Sequence, residues 1–221
     1  MKSVVSILVK RDFYELRNSP RKLVYIIIAA IIPVLSLVSK QPMINDRNNL
    51  FLFTLLAVPI YISMESTLSQ TIEYIKTGII ELYFVNTQVK KYQIVVAKSL
   101  FNMFLSLLAY AITFILAIAL KAMGIVSVQI TFQLWWVICV LLMGFIASAI
   151  GILSATVIKS EKSFCLYIGG MILILLPIFK VLDYFVVSKV LVLILYLAIV
   201  ASISIVCVSK IYQSNRFISR D

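Results

Sequence analysis

Side chains able to carry catalysis are few in this 221-residue chain. Histidine is absent, which removes imidazole acid–base catalysis, serine–histidine triads and histidine-ligated metals together. Cys139, Cys165 and Cys207 each lie inside a long apolar run, the setting of small apolar fillers and not of disulfides or metal ligands. The six glycines, Gly78, Gly124, Gly144, Gly151, Gly169 and Gly170, never adopt the Gly-x-x-x-x-Gly-Lys-Ser/Thr spacing that cradles nucleotide phosphates. We therefore expect no catalytic, cofactor or metal site here and no enzymatic activity. The remaining polar chemistry is concentrated between Glu65 and Lys98, where Glu73, Lys76, Thr77, Gly78 and Glu81 interrupt apolar sequence.

The elements around that segment follow from composition. Apolar residues make up 62% of the chain and charged residues 13%, with a mean hydropathy of +1.08. A soluble domain averages about 45–50% apolar and about 25% charged, so this composition is that of a membrane-embedded chain. Charge-free windows mark six candidate spans: Leu23–Val38, Leu50–Met64, Ser99–Leu120, Leu134–Ile158, Ser163–Phe179 and Val190–Ser209. The first is read as a retained span and not as a cleaved leader. The expected architecture is all-α, a polytopic membrane protein of six transmembrane helices, with residues 1–20 as an N-terminal arm and 21–221 as the transmembrane domain. In that topology 15 of the 20 Lys and Arg residues fall on one side and 5 on the other. The positive-inside rule then makes both termini cytoplasmic in a bacterial cell membrane, and Trp135 and Trp136 mark the outer interface. The net charge of +11 is thus a topological signal directed at membrane lipid, not a nucleic-acid footprint. The stretches between spans are too short for a soluble domain.

Within the arm, Val5, Val9, Phe13 and Leu16 share one helical face while Ser3, Ser6, Lys10 and Arg17 share another, which predicts a helix lying in the interface. Asp12 intrudes on its apolar edge, and Asn18-Ser19-Pro20 supplies a break before the first span. In the fourth window Gly144, Ala147, Gly151 and Ala155 form a stripe of small residues suited to close helix packing. Pro33, Pro59 and Pro177 predict kinks. Glu65, at the end of the second window, either pairs with a basic residue of the arm or faces a substrate portal.

The segment Glu65–Lys98 resembles the cytoplasmic loop of ABC-2-type exporter permeases. Glu73, Gly78, Glu81, Thr87 and Lys98 match that pattern, with Gln88 where proline is usual and Ala97 where glycine often precedes the lysine. The likeness extends to six spans, an interfacial N-terminal helix and short outer loops. It implies that the loop within 65–98 forms a coupling helix, with Glu73, Lys76, Thr77, Gly78, Ile79, Ile80, Glu81 and Leu82 docking on a separate ATP-binding subunit that carries the ATP and Mg. It also implies a second permease half, a homodimer or a related chain.

Few hydrogen-bonding side chains fall within the windows apart from Asn102 and scattered Ser and Thr, so a small polar solute finds little to bind. An amphipathic peptide or lipid-like substrate fits better, and the chain is similar in size and in its short loops to the permeases of peptide-toxin exporters. Alternatives of another class are a secondary transporter or channel, or a non-catalytic membrane immunity protein.

Overall fold

The structure, a computed structural model, describes residues 4–38, 47–78, 91–125, 134–158, 160, 162–184 and 189–213. All regular structure among the described residues is helical. The helices are α1 (Val4–Asn18), α2 (Pro20–Val38), α3 (Arg47–Ser63), a π-helical segment (Met64–Ser69), α4 (Gln70–Lys76), α5 (Lys91–Ala122), α6 (Leu134–Ile158), α7 (Ser163–Tyr184) and α8 (Lys189–Gln213).

Three stretches are long and apolar enough to cross a membrane: Gln93–Ala122, Trp135–Ile158 and Leu191–Val208. The bent pair α1–α2 makes a fourth if its two arms count as one span, and Ser163–Ile178 is apolar but shorter. The three stretches correspond to the third, fourth and sixth charge-free windows, and α6 has the bounds of its window.

Helix α6 occupies the centre. Cys139, Val140, Met143, Ile146, Ala147, Ala149 and Ala155 are fully buried around its circumference. It packs on α3, α5, α7 and α8. A second apolar cluster joins Leu16 of α1, Ile26, Ala29 and Ala30 of α2, Val58 and Ile62 of α3, and Phe101, Leu105 and Ala109 of α5. The outward faces of α2, α5, α7 and α8 remain apolar, with Ile27, Leu35, Phe104, Ile115, Leu173, Leu176, Leu195 and Ile199 all exposed. A shell of this kind suits hydrocarbon, which solvates apolar side chains as well as a core does.

Trp136 is buried inside the bundle, while Trp135 is partly buried and lies 3.8 Å away, centroid to centroid. One expectation changes here. The second helix does not stop at Met64: the chain stays helical from Arg47 to Lys76, so the first part of the expected 65–98 loop is a helix packed in the bundle. Its polar residues allow this because they recur at helical spacing and face other helices instead of water.

The small residues of α6 sit at two close approaches. A β-carbon on Gly144 would lie 3.1 Å from Ser106 Oγ and 3.4 Å from Met103 Cα of α5, and one on Gly151 would lie 3.6 Å from the backbone nitrogen of Leu68. Ala147 and Ala155 are fully buried in the same helix. A bulky residue at 144 must therefore separate α5 from α6. Gly144→Val is expected to destabilise by about 1–3 kcal/mol, the usual range for overpacking. Gly169→Ala, with open space around its β-carbon, is expected to change stability little. Thermal unfolding of the two purified variants in detergent checks the contrast.

Candidate functional site

The densest concentration of chemistry in the described structure is a buried cluster of charges where α1, α4 and α5 meet. It begins with α1, whose inward face is Leu8, Asp12 and Leu16, spaced four residues apart. Asp12 is therefore not a flaw at the margin of an apolar face, as the sequence suggested, but the centre of the buried one. Phe13 flanks it and packs edge-on against Phe101 and Phe104 of α5, with centroids 5.1 and 4.9 Å apart.

The partner of Asp12 comes from α5. Lys98 Nζ donates to Asp12 Oδ1 at 3.0 Å, and the two side chains are only 3% and 1% exposed. The same ammonium donates to Gln70 Oε1 of α4 at 2.5 Å. Gln70 Nε2 in turn donates to Glu15 Oε2 at 2.5 Å, and the Tyr74 hydroxyl donates to Glu15 Oε1 at 2.8 Å. Arg11 closes the cluster with Nη2 3.0 Å from Asp12 Oδ1 and its guanidinium 4.8 Å from the Tyr74 ring centre. Lys22, at the start of α2, lies 3.6 Å from Glu15. Burial pushes the Tyr74 phenol well above its ordinary pKa, with Arg11 opposing and Glu15 reinforcing the shift. The phenol thus remains a neutral donor. Desolvating so many charges is tolerable because each finds an opposite charge or an oriented amide.

From this cluster a polar seam runs into the bundle. Its first side is the stretch Ser63, Ser66, Thr67, Gln70, Thr71 and Tyr74; its second is Lys98, Asn102 and Ser106 of α5, one turn apart. Ser66 Oγ donates to Asn102 Oδ1 at 3.2 Å, and Asn102 Nδ2 donates to the Gly144 carbonyl of α6 at 2.7 Å. Thr67 and Ser148 hydroxyls lie 3.4 Å apart. The seam coincides with the π-helical segment, whose extra residue per turn displaces the backbone and widens the helix at that point. Gly151 leaves room for it on α6.

The residues expected to contact an ATPase are only partly within the described structure. Glu73, Lys76 and Thr77 are exposed at the end of α4. Thr77 N–H donates to the Glu73 carbonyl at 2.9 Å, and Gly78 then takes φ of +72°, which ends the helix in the left-handed conformation that glycine adopts without strain. Ile79, Ile80, Glu81, Leu82 and Thr87 lie outside the described residues. Glu65 sits in the π-helical segment, half-buried. Arg11 of the arm pairs with two acids of its own helix, Asp12 and Glu15. No three His, Cys, Asp or Glu side chains converge to hold a metal among the described residues.

The sequence reading missed the cluster itself. Its one available signal was the recurrence of Ser63, Ser66, Thr67, Gln70, Thr71 and Tyr74 at three- and four-residue intervals, which marks a single helical face.

Comparison of the chain with protein-family profiles, with curated proteins and with solved structures gives no match.

Because the Asp12–Lys98 pair is buried, removing Asp12 leaves the Lys98 ammonium without its carboxylate, whereas removing Lys98 leaves Asp12 with Arg11 alone. Asp12→Leu is expected to lower stability by about 3–5 kcal/mol and Lys98→Met by less, whereas the two combined recover most of the loss. A double-mutant cycle on detergent-solubilised protein measures this; additive single losses would show that the two groups do not interact.

Proposed function

We propose that this chain is the membrane-spanning permease subunit of an ATP-driven exporter of the ABC-2 type. In this reading it has six transmembrane helices and cytoplasmic termini in a bacterial cell membrane. Its α1 lies along the membrane interface, and the loop after Gly78 supplies a coupling helix to an ATP-binding subunit. That partner binds and hydrolyses ATP with Mg; this chain contributes no catalytic residue. A second permease half completes the pathway.

One observation carries the proposal beyond the loop pattern: the helix that leads into the loop is bound, one to two turns before its end, to two other elements. Gln70 and Tyr74 engage Glu15 of the arm, and Gln70 engages Lys98 of α5. A force applied at Thr77–Gly78 therefore reaches α1 and α5 through charge-assisted hydrogen bonds, which are short and strongly directional. The π-helical segment above it is a second place where that helix can change register.

The polar seam bears on the substrate. Asn102, Ser66, Thr67 and Ser148 bond to one another or to the backbone, so these groups are already committed within the bundle. The outward faces are apolar. Both features favour an amphipathic peptide or lipid-like cargo over a small polar solute.

The test is purification of the tagged full chain from its native membrane in mild detergent, with assay for a bound ATP-binding subunit. Stoichiometric co-purification and ATP hydrolysis are expected. Glu73→Lys with Glu81→Lys should lower recovery of that subunit by about tenfold or more, a loss of about 1.4 kcal/mol or greater, with little change in thermal stability. Absence of any ATP-binding partner in the wild-type preparation would overturn the proposal.

A further inference from the structure

Helix α1 sorts its charges by sign across its width. Both acids are engaged away from the outward face: Asp12, buried, by Lys98 and Arg11, and Glu15, partly buried, by Gln70, Tyr74, Arg11 and Lys22. The opposite side carries Ile7, Lys10, Tyr14 and Arg17, all exposed. At 100° per residue these four positions fall within an arc of about 80°, and Asp12 lies on the far side of the helix from it. The outward face is therefore basic and amphipathic, with no acid on it.

The orientation of this face follows from the neighbouring helix. The axis turns by 87° between Val4–Asn18 and Lys22–Val38. The second of these arms exposes Leu23, Val24, Ile27, Ile28, Ile31 and Leu35 along its length. If that apolar arm runs through the bilayer, α1 runs along the bilayer surface. In the six-span topology proposed above, it does so on the side that carries 15 of the 20 basic residues.

We infer that the outward face of α1 is a contact site for anionic phospholipid, with Lys10 and Arg17 engaging phosphate or other acidic headgroups and Ile7 and Tyr14 seated among the upper acyl chains. Charge complementarity identifies the partner: the cytoplasmic leaflet is negative, and each basic residue near it contributes about 1 kcal/mol. The interior cluster has a part in this preference, because it withdraws two carboxylates that would otherwise repel the same headgroups. The inference rests on the membrane reading above but not on the identity of the cargo or of the ATPase.

The experiment uses the full chain reconstituted in vesicles of phosphatidylcholine with a minority of phosphatidylglycerol. A photoreactive benzoylphenylalanine is placed at Tyr14, or at Ile172 of α7, an exposed position far from α1 in the chain, and the cross-linked adducts are identified by mass spectrometry. At Tyr14, phosphatidylglycerol adducts are expected to exceed their bilayer share by at least about fivefold, the factor that one of the two basic residues near an anionic surface supplies. At Ile172 they should match the bilayer share, and Lys10→Gln with Arg17→Gln should bring Tyr14 down to it. Equal ratios at the two positions in the wild-type chain, or adducts at Tyr14 to a second copy of the protein instead of lipid, would overturn the inference. Lipid adducts at neither position would overturn the membrane reading and this inference with it.

Discussion

A lysine ammonium and an aspartate carboxylate, both nearly inaccessible to solvent, meet at 3.0 Å between α1 and α5. Neither charge is stable alone in those surroundings, since transferring an ion from water into an apolar interior costs several kcal/mol even after relaxation. Lys98 therefore requires the carboxylate that Arg11 also engages, and that requirement places the N-terminal helix. Lys98 also needs acceptors beyond one carboxylate oxygen, and Gln70 meets this need from α4. Through Gln70 and Tyr74 the helix that leaves the bundle at Gly78 is joined to the same cluster. Three segments far apart in the chain are thus held at one point.

The hydrogen-bonded seam does for the centre of the bundle what the ion pair does for its end. Apolar contacts among α3, α5 and α6 are nondirectional, and in hydrocarbon they give little preference for one register over a neighbouring one. Ser66 to Asn102 and Asn102 to the Gly144 carbonyl select a register, because a shift of one residue leaves buried donors unmet. The small residues of α6 make this geometry reachable by letting backbones approach. Gly144 matters twice, as the absence of a side chain against Met103 and as the carbonyl that Asn102 bonds.

Where bonding is specific, it is also connected. The arm, the helix that ends at Gly78 and α5 share one network, so motion at any of the three must be accommodated by the others. The outer shell has the opposite character. Its apolar side chains offer no directional bonds and suit a hydrocarbon surrounding.

Much of the helical layout was legible from the chain alone, since hydropathy and helix breakers act locally. The bounds of α6, the break at Asn18-Ser19-Pro20 and the helix-ending glycine at 78 all follow from residues within a turn or two of one another. The cluster was not legible for the converse reason. Asp12 and Lys98 are separated by 86 positions, Ser66 and Asn102 by 36, and Gln70 and Lys98 by 28. A polar residue has the same local sequence character whether it faces water or an unseen partner, so Glu65–Tyr74 read as loop and Asp12 as a defect. Composition and local pattern determined that this chain forms apolar helices and where several of them begin and end. Only the tertiary structure decided which polar groups meet, because burial becomes tolerable for each only when its distant partner is in place.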